Sequence, residues 1–366
     1  MIILAAGLSE RMGVFKPLLP VGGQPAVMRC VRIAETAGIG RMLIVTGHMR
    51  EDIEDVINAN APEVRIVYNE KYRDGMFSSA IAGVSALPDD LDGFFLLPAD
   101  CCAVSPETLK ILVEQFAKNK GAYVTRPKYE GKRGHPPLVP GRHIDPLLSY
   151  KGDNGLKGFL SPLPTVEVEM ASNDALLDMD TPEDYAELLG FLNFPTYPTA
   201  PQCAELLVKH NVKPGIVEHG KQVADLALKI ARLMEACGEI LDTSLLESAC
   251  LLHDICRLNP AHAKIGMELL MREGYPKAAM LVGSHMDLPG FAGIIGEAEL
   301  LYFSDKIYRR GKLISLDDSM SELESRFAND HIALAVARDR INTAQAILDT
   351  LKARFGIGYK ELGVWS

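Results

Sequence analysis

What the 366-residue sequence lacks narrows it first. Its seven cysteines (Cys30, Cys101, Cys102, Cys203, Cys237, Cys250 and Cys256) are odd in number, scattered, and form no C-x-x-C pair. That excludes a disulfide framework and fits a reducing compartment. No apolar run reaches the ~18 residues a membrane span needs. The apolar start, MIILAA, runs straight into a glycine turn, which makes it a strand and not a signal peptide. The chain is therefore expected in the cytoplasm. It also lacks a surplus of positive charge: a net charge of −10 excludes a general nucleic-acid or membrane-surface binder, while leaving room for a local basic pocket that takes a small phosphate ligand. There is no internal repeat and no low-complexity tract.

What is present is ordinary globular composition, 48% hydrophobic and 23% charged, in a chain long enough for two cores. Over the first 190 residues or so, short apolar runs (MIILAA, RMLIVTG, VRIVYN, GFFLLPAD, AYVTRPKY, TVEVEM) alternate with helical patterns such as AVMRCVRIAETAG, EDIEDVINAN and SSAIAGVSAL. SPETLKILVEQFAKN adds a helix with Ser105 as N-cap and Pro106 in its first turn. Such alternation predicts an α/β domain with a mostly parallel sheet covered on both faces. LNFPTYPTAPQ then breaks the pattern with closely spaced prolines. The expected division is a domain over 1–192, a linker over 193–202 and a domain over 203–366. The last is expected to be all-helical, with helices over 203–211, 216–236, 244–256, 260–273, 276–286, 296–310, 318–327 and 329–354.

The first strand ends in LAAGLSERMGVFKPLLPVGGQP. Ligands of open parallel sheets sit beyond the carboxyl ends of strands. Small residues and glycines let backbone amides close around an anion, and Arg11 and Lys16 add fixed positive charge. Together they suit a nucleoside triphosphate. Two familiar phosphate loops are absent: five residues separate Gly7 from Gly13, Lys16 is followed by Pro17, and no G-x-G-x-x-G occurs here.

The order of these residues resembles the nucleotidyltransferases of the molybdenum-cofactor type, whose pattern is LAAGxSxRMGxxKxLLPxxGxP. NEKYRDGMFSSAIAG, FLLPADCCAVSPETL, GKRGHPPLV, GDNGLKGFL and LLDMDTPEDY match later landmarks in the same order. The resemblance implies a Rossmann-like nucleotidyltransferase fold. It places the nucleotide on Leu4, Ala5, Ala6, Gly7, Ser9, Arg11, Met12, Gly13 and Lys16, and on Gly75, Met76, Ser78 and Ser79. Asp100 would hold Mg²⁺, with Asp180, or alternatively Asp178, completing the site; oxygen ligands with substrate phosphates are the usual Mg²⁺ set. Asp180 and Thr181 also read as helix-cap residues. Arg133, Gly134, His135 and Asp153 would meet the acceptor. GMFSS and RGHP lean toward the cytidylyl branch, hence CTP and a pterin cofactor as partners, with a molybdoenzyme receiving the product. A sugar phosphate or other phosphorylated small molecule is the alternative acceptor. Arg11, Lys16 and Asp100 would be catalytic through positioning and charge neutralisation, with pyrophosphate released.

In the second half, apolar stripes at helical spacing carry polar ligand types. His219 lies on the stripe of Ile216, Val223, Ala227 and Ile230; His253, beside Asp254, shares a face with Leu246 and Ala249; Asp305 shares one with Leu301 and Tyr308. Burying such groups unpaired is costly, and imidazoles with carboxylates around a divalent cation satisfy one another. The order His219, His253-Asp254, Asp305 resembles the HD-domain phosphohydrolase superfamily, with His262 and His285 where two-metal members carry further histidines. The resemblance implies one or two divalent metals (Mn²⁺, Fe or Mg²⁺) and catalysis by His253, Asp254 and Lys306, with Arg257 as a second phosphate-stabilising candidate. A regulatory, nucleotide-sensing role for this half is the alternative.

Overall fold

The structure, a computed structural model, describes residues 1–88, 90–288, 290–309 and 311–364. The chain divides into two compact units, Met1–Phe194 and Pro195–Ser366. The division falls inside the proline-rich stretch 193–202. The helix after it begins at Ala200, with Thr199 and Gln202 forming a capping box.

The first unit is built on an eight-stranded sheet: β1 (Ile2–Ala5), β2 (Leu43–Thr46), β3 (Arg65–Tyr68), β4 (Gly93–Pro98), β5 (Val124–Tyr129), β6 (Lys132–Arg133), β7 (Leu138–Pro140) and β8 (Thr165–Glu169). The order is β8-β5-β7-β4-β1-β2-β3, with β6 paired to β5. The pairs β1–β2, β1–β4, β2–β3 and β5–β8 are parallel. β7 runs antiparallel to β4 and β5, which makes the sheet mixed, though mostly parallel. β1 and β2 are buried at every position, as a sheet covered on both faces requires. Ile2, Leu4, Val45, Phe94, Leu96 and Val124 share one core with Ala80, Val84, Phe159 and Leu160.

Helices α1 (Ala26–Thr36), α2 (Arg50–Asn60), α3 (Met76–Ser85) and α4 (Pro106–Lys118) fall where the apolar periodicity places them. α5 (Ile144–Leu148), α6 (Gly155–Leu160) and α7 (Pro182–Phe191) complete the unit. Ser105 caps α4, its hydroxyl accepting from the Thr108 amide at 3.1 Å.

The second unit is helical: α8 (Ala200–Lys209), α9 (Pro214–Glu235), α10 (Thr243–Leu252), α11 (His262–Arg272), α12 (Pro276–Ser284), α13 (Glu297–Ile307), α14 (Leu316–Arg326), α15 (His331–Phe355) and α16 (Tyr359–Leu362). Val223, Ala227 and Ile230 of α9 bury against Leu246 and Ala249 of α10 and Leu301 of α13. Two differences from the sequence expectation matter. The helix expected over 296–310 stops at Ile307; Tyr308–Arg309 pairs with Lys312–Leu313 as a short hairpin around Gly311, whose φ is +80°. Residue 310 of that expected helix lies outside the described residues. Second, α10 ends at Leu252, so His253 and Asp254 lie in the turn beyond it and not on the helix.

Candidate functional site

The first candidate site lies at the carboxyl ends of β1 and β4. The loop leaving β1 folds on itself: Ser9 takes φ +57°, Gly13 takes φ +74°, and the Gly13 amide meets the carbonyls of Ser9 and Glu10. Ser9 Oγ accepts from the Lys16 amide at 3.0 Å, and Met12 anchors the loop in the core at 1% exposure. A Cβ built at Gly7 would meet nothing within 4 Å, so open space faces that backbone. This space is a cavity of about 350 Å³. Leu4, Ala5, Ala6, Gly7, Ser9, Arg11 and Lys16 line it from the loop; Gly75, Met76 and Ser79 from the start of α3; Asp100 and Asp180 from beyond β4 and before α7.

The charged groups converge. The Lys16 ammonium donates to Asp100 Oδ2 at 2.6 Å and to Asp180 Oδ1 at 2.8 Å, and Arg11 pairs with Asp180 Oδ2 at 2.7 Å. Two carboxylates therefore meet at one ammonium, and their oxygens could hold a Mg²⁺ ion together with substrate phosphates. Burial opposes the Asp180 charge, but Lys16 and Arg11 overcome it and hold the carboxyl below its usual range. Thr181, not Asp180, caps α7 through a reciprocal capping box with Asp184, so Asp180 is released for ionic contacts.

Other expected residues stand apart from this cavity. Met12 and Gly13 shape the loop from behind. Ser78 is occupied by the turn, donating toward the Lys71 and Gly75 carbonyls. Asp178 is exposed, its pKa raised by partial desolvation and then by Asp180 and Asp100. Arg133 pairs with Glu167 at 2.5 Å on the sheet surface, and Asp153 is exposed. Gly134 is buried where a Cβ would lie 2.5 Å from the Ala175 carbonyl, which fixes glycine there. His135 is half-buried, its Nδ1 without a hydrogen-bond partner.

Sequence reasoning missed Tyr72 and Arg73, which line the cavity, and Asn69, whose amide donates to both Ser78 and Ser79. All three lie in the NEKYRDG stretch, but on a short turn with no periodicity to single them out. A larger cavity of about 930 Å³ lies at the opposite ends of the strands, around Met1, Leu43 and Gly93, far from these acidic groups.

The second candidate site gathers residues from five helices and the turns that follow them. His219 (α9), His253 and Asp305 (α13) form one group, and Asp254, His262 (α11) and His285 form another, the ligand atoms of each lying within 4.8 Å of one another. The turns aim the rings. His253 and His285 each sit one residue past a helix end, and each Nδ1 meets the carbonyl three residues back, Cys250 at 2.8 Å and Val282 at 2.6 Å. A proton on each Nδ1 leaves Nε2 as a lone pair. His253 Nε2 faces Asp254 and Asp305 at 3.5 Å each, while His285 Nε2 lies 3.3 Å from His262 Nε2 and 3.8 Å from Asp254 Oδ1.

Lone pairs facing lone pairs in a dry interior repel unless a cation lies between them. His253 Nε2 and Asp254 Oδ1 are indeed buried without any partner. Burial first, then His253, pushes the His285 pKa down to about 3, which keeps the ring in its metal-binding neutral form. These residues fit two divalent cations, and their mixed nitrogen and oxygen donors suit first-row transition metals. Lys306 turns inward to Asp305 Oδ2 at 2.8 Å and the His285 carbonyl at 3.2 Å. Arg257 lies 3.2 Å from His262 Nε2. A cavity of about 1380 Å³ opens above both groups and is rimmed by Arg257, Arg309, Arg326 and Arg340.

The family models agree with this division. The MobA-like NTP transferase domain matches residues 1–168, and the HD domain matches residues 216–316. The chain joins a MobA-like NTP transferase domain to an HD domain. Among curated proteins, the molybdenum cofactor cytidylyltransferase of Escherichia coli is 27% identical over 184 residues, 50% of this chain and 92% of that protein. A bifunctional IPC transferase and DIPP synthase of Rubrobacter xylanophilus is 31% identical over 45% of this chain, which spans only 39% of that protein. Among solved structures, a nucleotidyl transferase from Methanothermobacter thermautotroptrophicus is 24% identical with a TM-score of 0.45, covering 52% of this chain and 96% of that one. The residues matched by the MobA-like model hold the loop, Lys16 and Asp100, while Asp180 lies beyond them; those matched by the HD model hold both histidine groups. Among the described residues, no helix is long and apolar enough to cross a membrane.

Proposed function

We propose that the MobA-like domain transfers a cytidylyl group from CTP to the terminal phosphate of a molybdopterin-type cofactor, releasing pyrophosphate, and that the HD domain hydrolyses a phosphoester. The observation that carries the transfer reading is the convergence of Lys16, Arg11, Asp100 and Asp180 on the space before Gly7. A bound Mg²⁺ would neutralise charge on the phosphates. Lys16 balances both carboxylates. With a nucleotide bound, its ammonium is positioned to move onto the triphosphate, freeing Asp100 and Asp180 for the ion. Arg11, at the loop rim, adds charge to the outer phosphates. The backbone of Ala6 and Gly7 approaches the phosphates without steric cost, and Gly75, Met76 and Ser79 face the nucleoside. No covalent intermediate is required; the gain comes from alignment and fixed charge.

In the HD domain, bound metals would lower the pKa of a coordinated water and polarise the phosphoryl oxygens. Lys306 orients Asp305, the two main-chain carbonyls set the His253 and His285 rings, and Arg257 faces the incoming phosphate from beside His262. Second contacts of this kind commonly govern metal affinity as strongly as activity.

The decisive experiment incubates the full chain with Mg²⁺, each of the four NTPs in turn and either molybdopterin cofactor or a sugar phosphate, and follows pyrophosphate. CTP is expected to give product. Absence of pyrophosphate with every NTP would remove the transfer reading; pyrophosphate only with sugar phosphates would move the acceptor. For the HD domain, metal analysis of the purified chain and turnover of bis(p-nitrophenyl) phosphate with added Mn²⁺ are the matching measurements. Tight nucleotide binding in a metal-free domain would favour the sensing role.

A further inference from the structure

Arg126 lies on β5, opposite Glu167 of β8 in the strand register. Lys128, two residues on, shares its face, and Arg133 of β6 stands opposite Lys128. Three cations therefore surround one carboxylate on a protein whose net charge is −10. Glu167 is already committed: Oε2 accepts from Lys128 at 2.9 Å and Oε1 from Arg133 at 2.5 Å, contacts that drive its pKa down to about 2. Arg126 faces that carboxylate across the strands without bonding to it. Its Nε is buried with no hydrogen-bond partner, and among the described residues the guanidinium makes no ion pair.

The buried Nε of Arg126 is a standing cost to the fold, because its desolvation is not repaid. The nearby imidazole has the same character, since His135 Nδ1 is also buried and unpartnered. His135 lies alongside Arg126, because the Gly134 amide donates to the Pro127 carbonyl at 2.8 Å and continues the β5–β6 pairing; burial and then Arg126 lower its pKa, while Asp100 acts in the opposite sense. Two unsatisfied donor-capable nitrogens side by side, with a surplus of positive charge around them, make an incomplete oxyanion site. The planar fork of arginine suits phosphate and carboxylate equally.

We propose that Arg126, with His135, binds an oxyanion carried by the acceptor, a phosphate or a carboxylate, and so determines which acceptors the transferase domain accepts. This rests on the transfer reading above. Arg133, which the sequence pattern favours for this role, is tied to Glu167 and serves to leave Arg126 free.

The test uses the full chain with Mg²⁺ and inorganic tripolyphosphate, which fills the nucleotide loop whatever base is used. Inorganic phosphate, and separately acetate, are then titrated by calorimetry into wild type, Arg126→Met and Arg126→Lys. Any anion taken up elsewhere is common to all three proteins, so the difference isolates Arg126. Wild type is expected to bind one of the two anions at least about tenfold more tightly than Arg126→Met, with Arg126→Lys between them. Phosphate as the better ligand names a phosphoryl group, and acetate a carboxylate. The melting temperature of Arg126→Met should equal or exceed that of wild type, since an unpaired charge is replaced by an apolar chain of similar length. Equal binding of both anions by wild type and Arg126→Met, or a clear fall in melting temperature with Arg126→Met, overturns the proposal. Failure of tripolyphosphate to bind would instead count against the transfer reading, and the phosphate and acetate titrations would still decide Arg126.

Discussion

The two acidic centres of this chain differ in how they tolerate the absence of a ligand. At the transferase centre, Asp100 and Asp180 are part-exposed, their side chains 20% and 27% accessible, and the protein supplies its own counter-ions in Lys16 and Arg11. At the HD centre, His253 is 0% and His285 1% exposed; Lys306 balances Asp305, but His253 Nε2 and Asp254 Oδ1 are buried without a hydrogen bond. The first site is balanced without metal and is expected to take its ion up with the nucleotide. The second leaves buried acceptor atoms unsatisfied, so on the proposed reading its ions would act as part of the fold. The lesson is that the partners left to a carboxylate, more than its identity, separate a transient metal site from a resident one.

The largest effects should come from disrupting the proposed HD metal site. Asp254→Ala deletes a carboxylate shared between His253, His262 and His285, and hydrolysis is expected to fall by about 10³-fold or more. Metal content should drop in the same variant. Binding linkage predicts that Mn²⁺ at ~100 times its Kd raises the stability of the HD domain by ~2.7 kcal/mol. Calorimetry should therefore show a metal-dependent transition for the HD domain and none for the transferase domain with Mg²⁺ alone. If Mg²⁺ alone stabilised the transferase domain as strongly as Mn²⁺ does the HD domain, the contrast would fail.

Asp100→Asn tests the other side. It keeps the shape and a hydrogen bond to Lys16 but removes a charge from the pair. Transfer is expected to fall by about 10²- to 10³-fold. The fold should change little, because Lys16 keeps its ion pair with Asp180 and a hydrogen bond to the new amide. A collapse of stability comparable to that of metal-free HD domain would mean the carboxylate is structural.

Much of this was legible before any coordinates. Strand–helix alternation located the strands that carry the loop and Asp100, and the inward histidines stood out because apolar stripes seldom hold them. What escaped had weak local signals. β7 is three residues long and follows two prolines, so neither length nor alternation marks it. Arg126 reads as an ordinary polar position of a strand; only the pairing of Lys128 and Arg133 with Glu167 reveals that it is unpaired. The end of α10 at Leu252 depends on a side chain: His253 returns to the Cys250 carbonyl, one of the last-turn carbonyls that a helix leaves without an internal partner. The ambiguity between Asp180 and Thr181 as helix cap needed geometry, because both residue types cap well.

That ambiguity also supplies the smaller, sharper tests. Gly134→Ala places a methyl 2.5 Å from the Ala175 carbonyl, so the segment before His135 must shift, at a cost of about 1–3 kcal/mol read by chemical denaturation. Smaller still is Thr181→Ala. It deletes the hydroxyl that accepts from the Asp184 amide at 3.2 Å, and capping losses of this kind are about 1 kcal/mol. Because Asp180 keeps its contacts with Lys16 and Arg11, transfer by Thr181→Ala should stay within about twofold of wild type once the protein is folded. Asp180→Asn should do the reverse, lowering transfer while leaving the denaturation midpoint nearly unchanged. Were Asp180→Asn the variant that loses stability and Thr181→Ala the one that loses transfer, the assignment of cap and metal ligand would have to be exchanged.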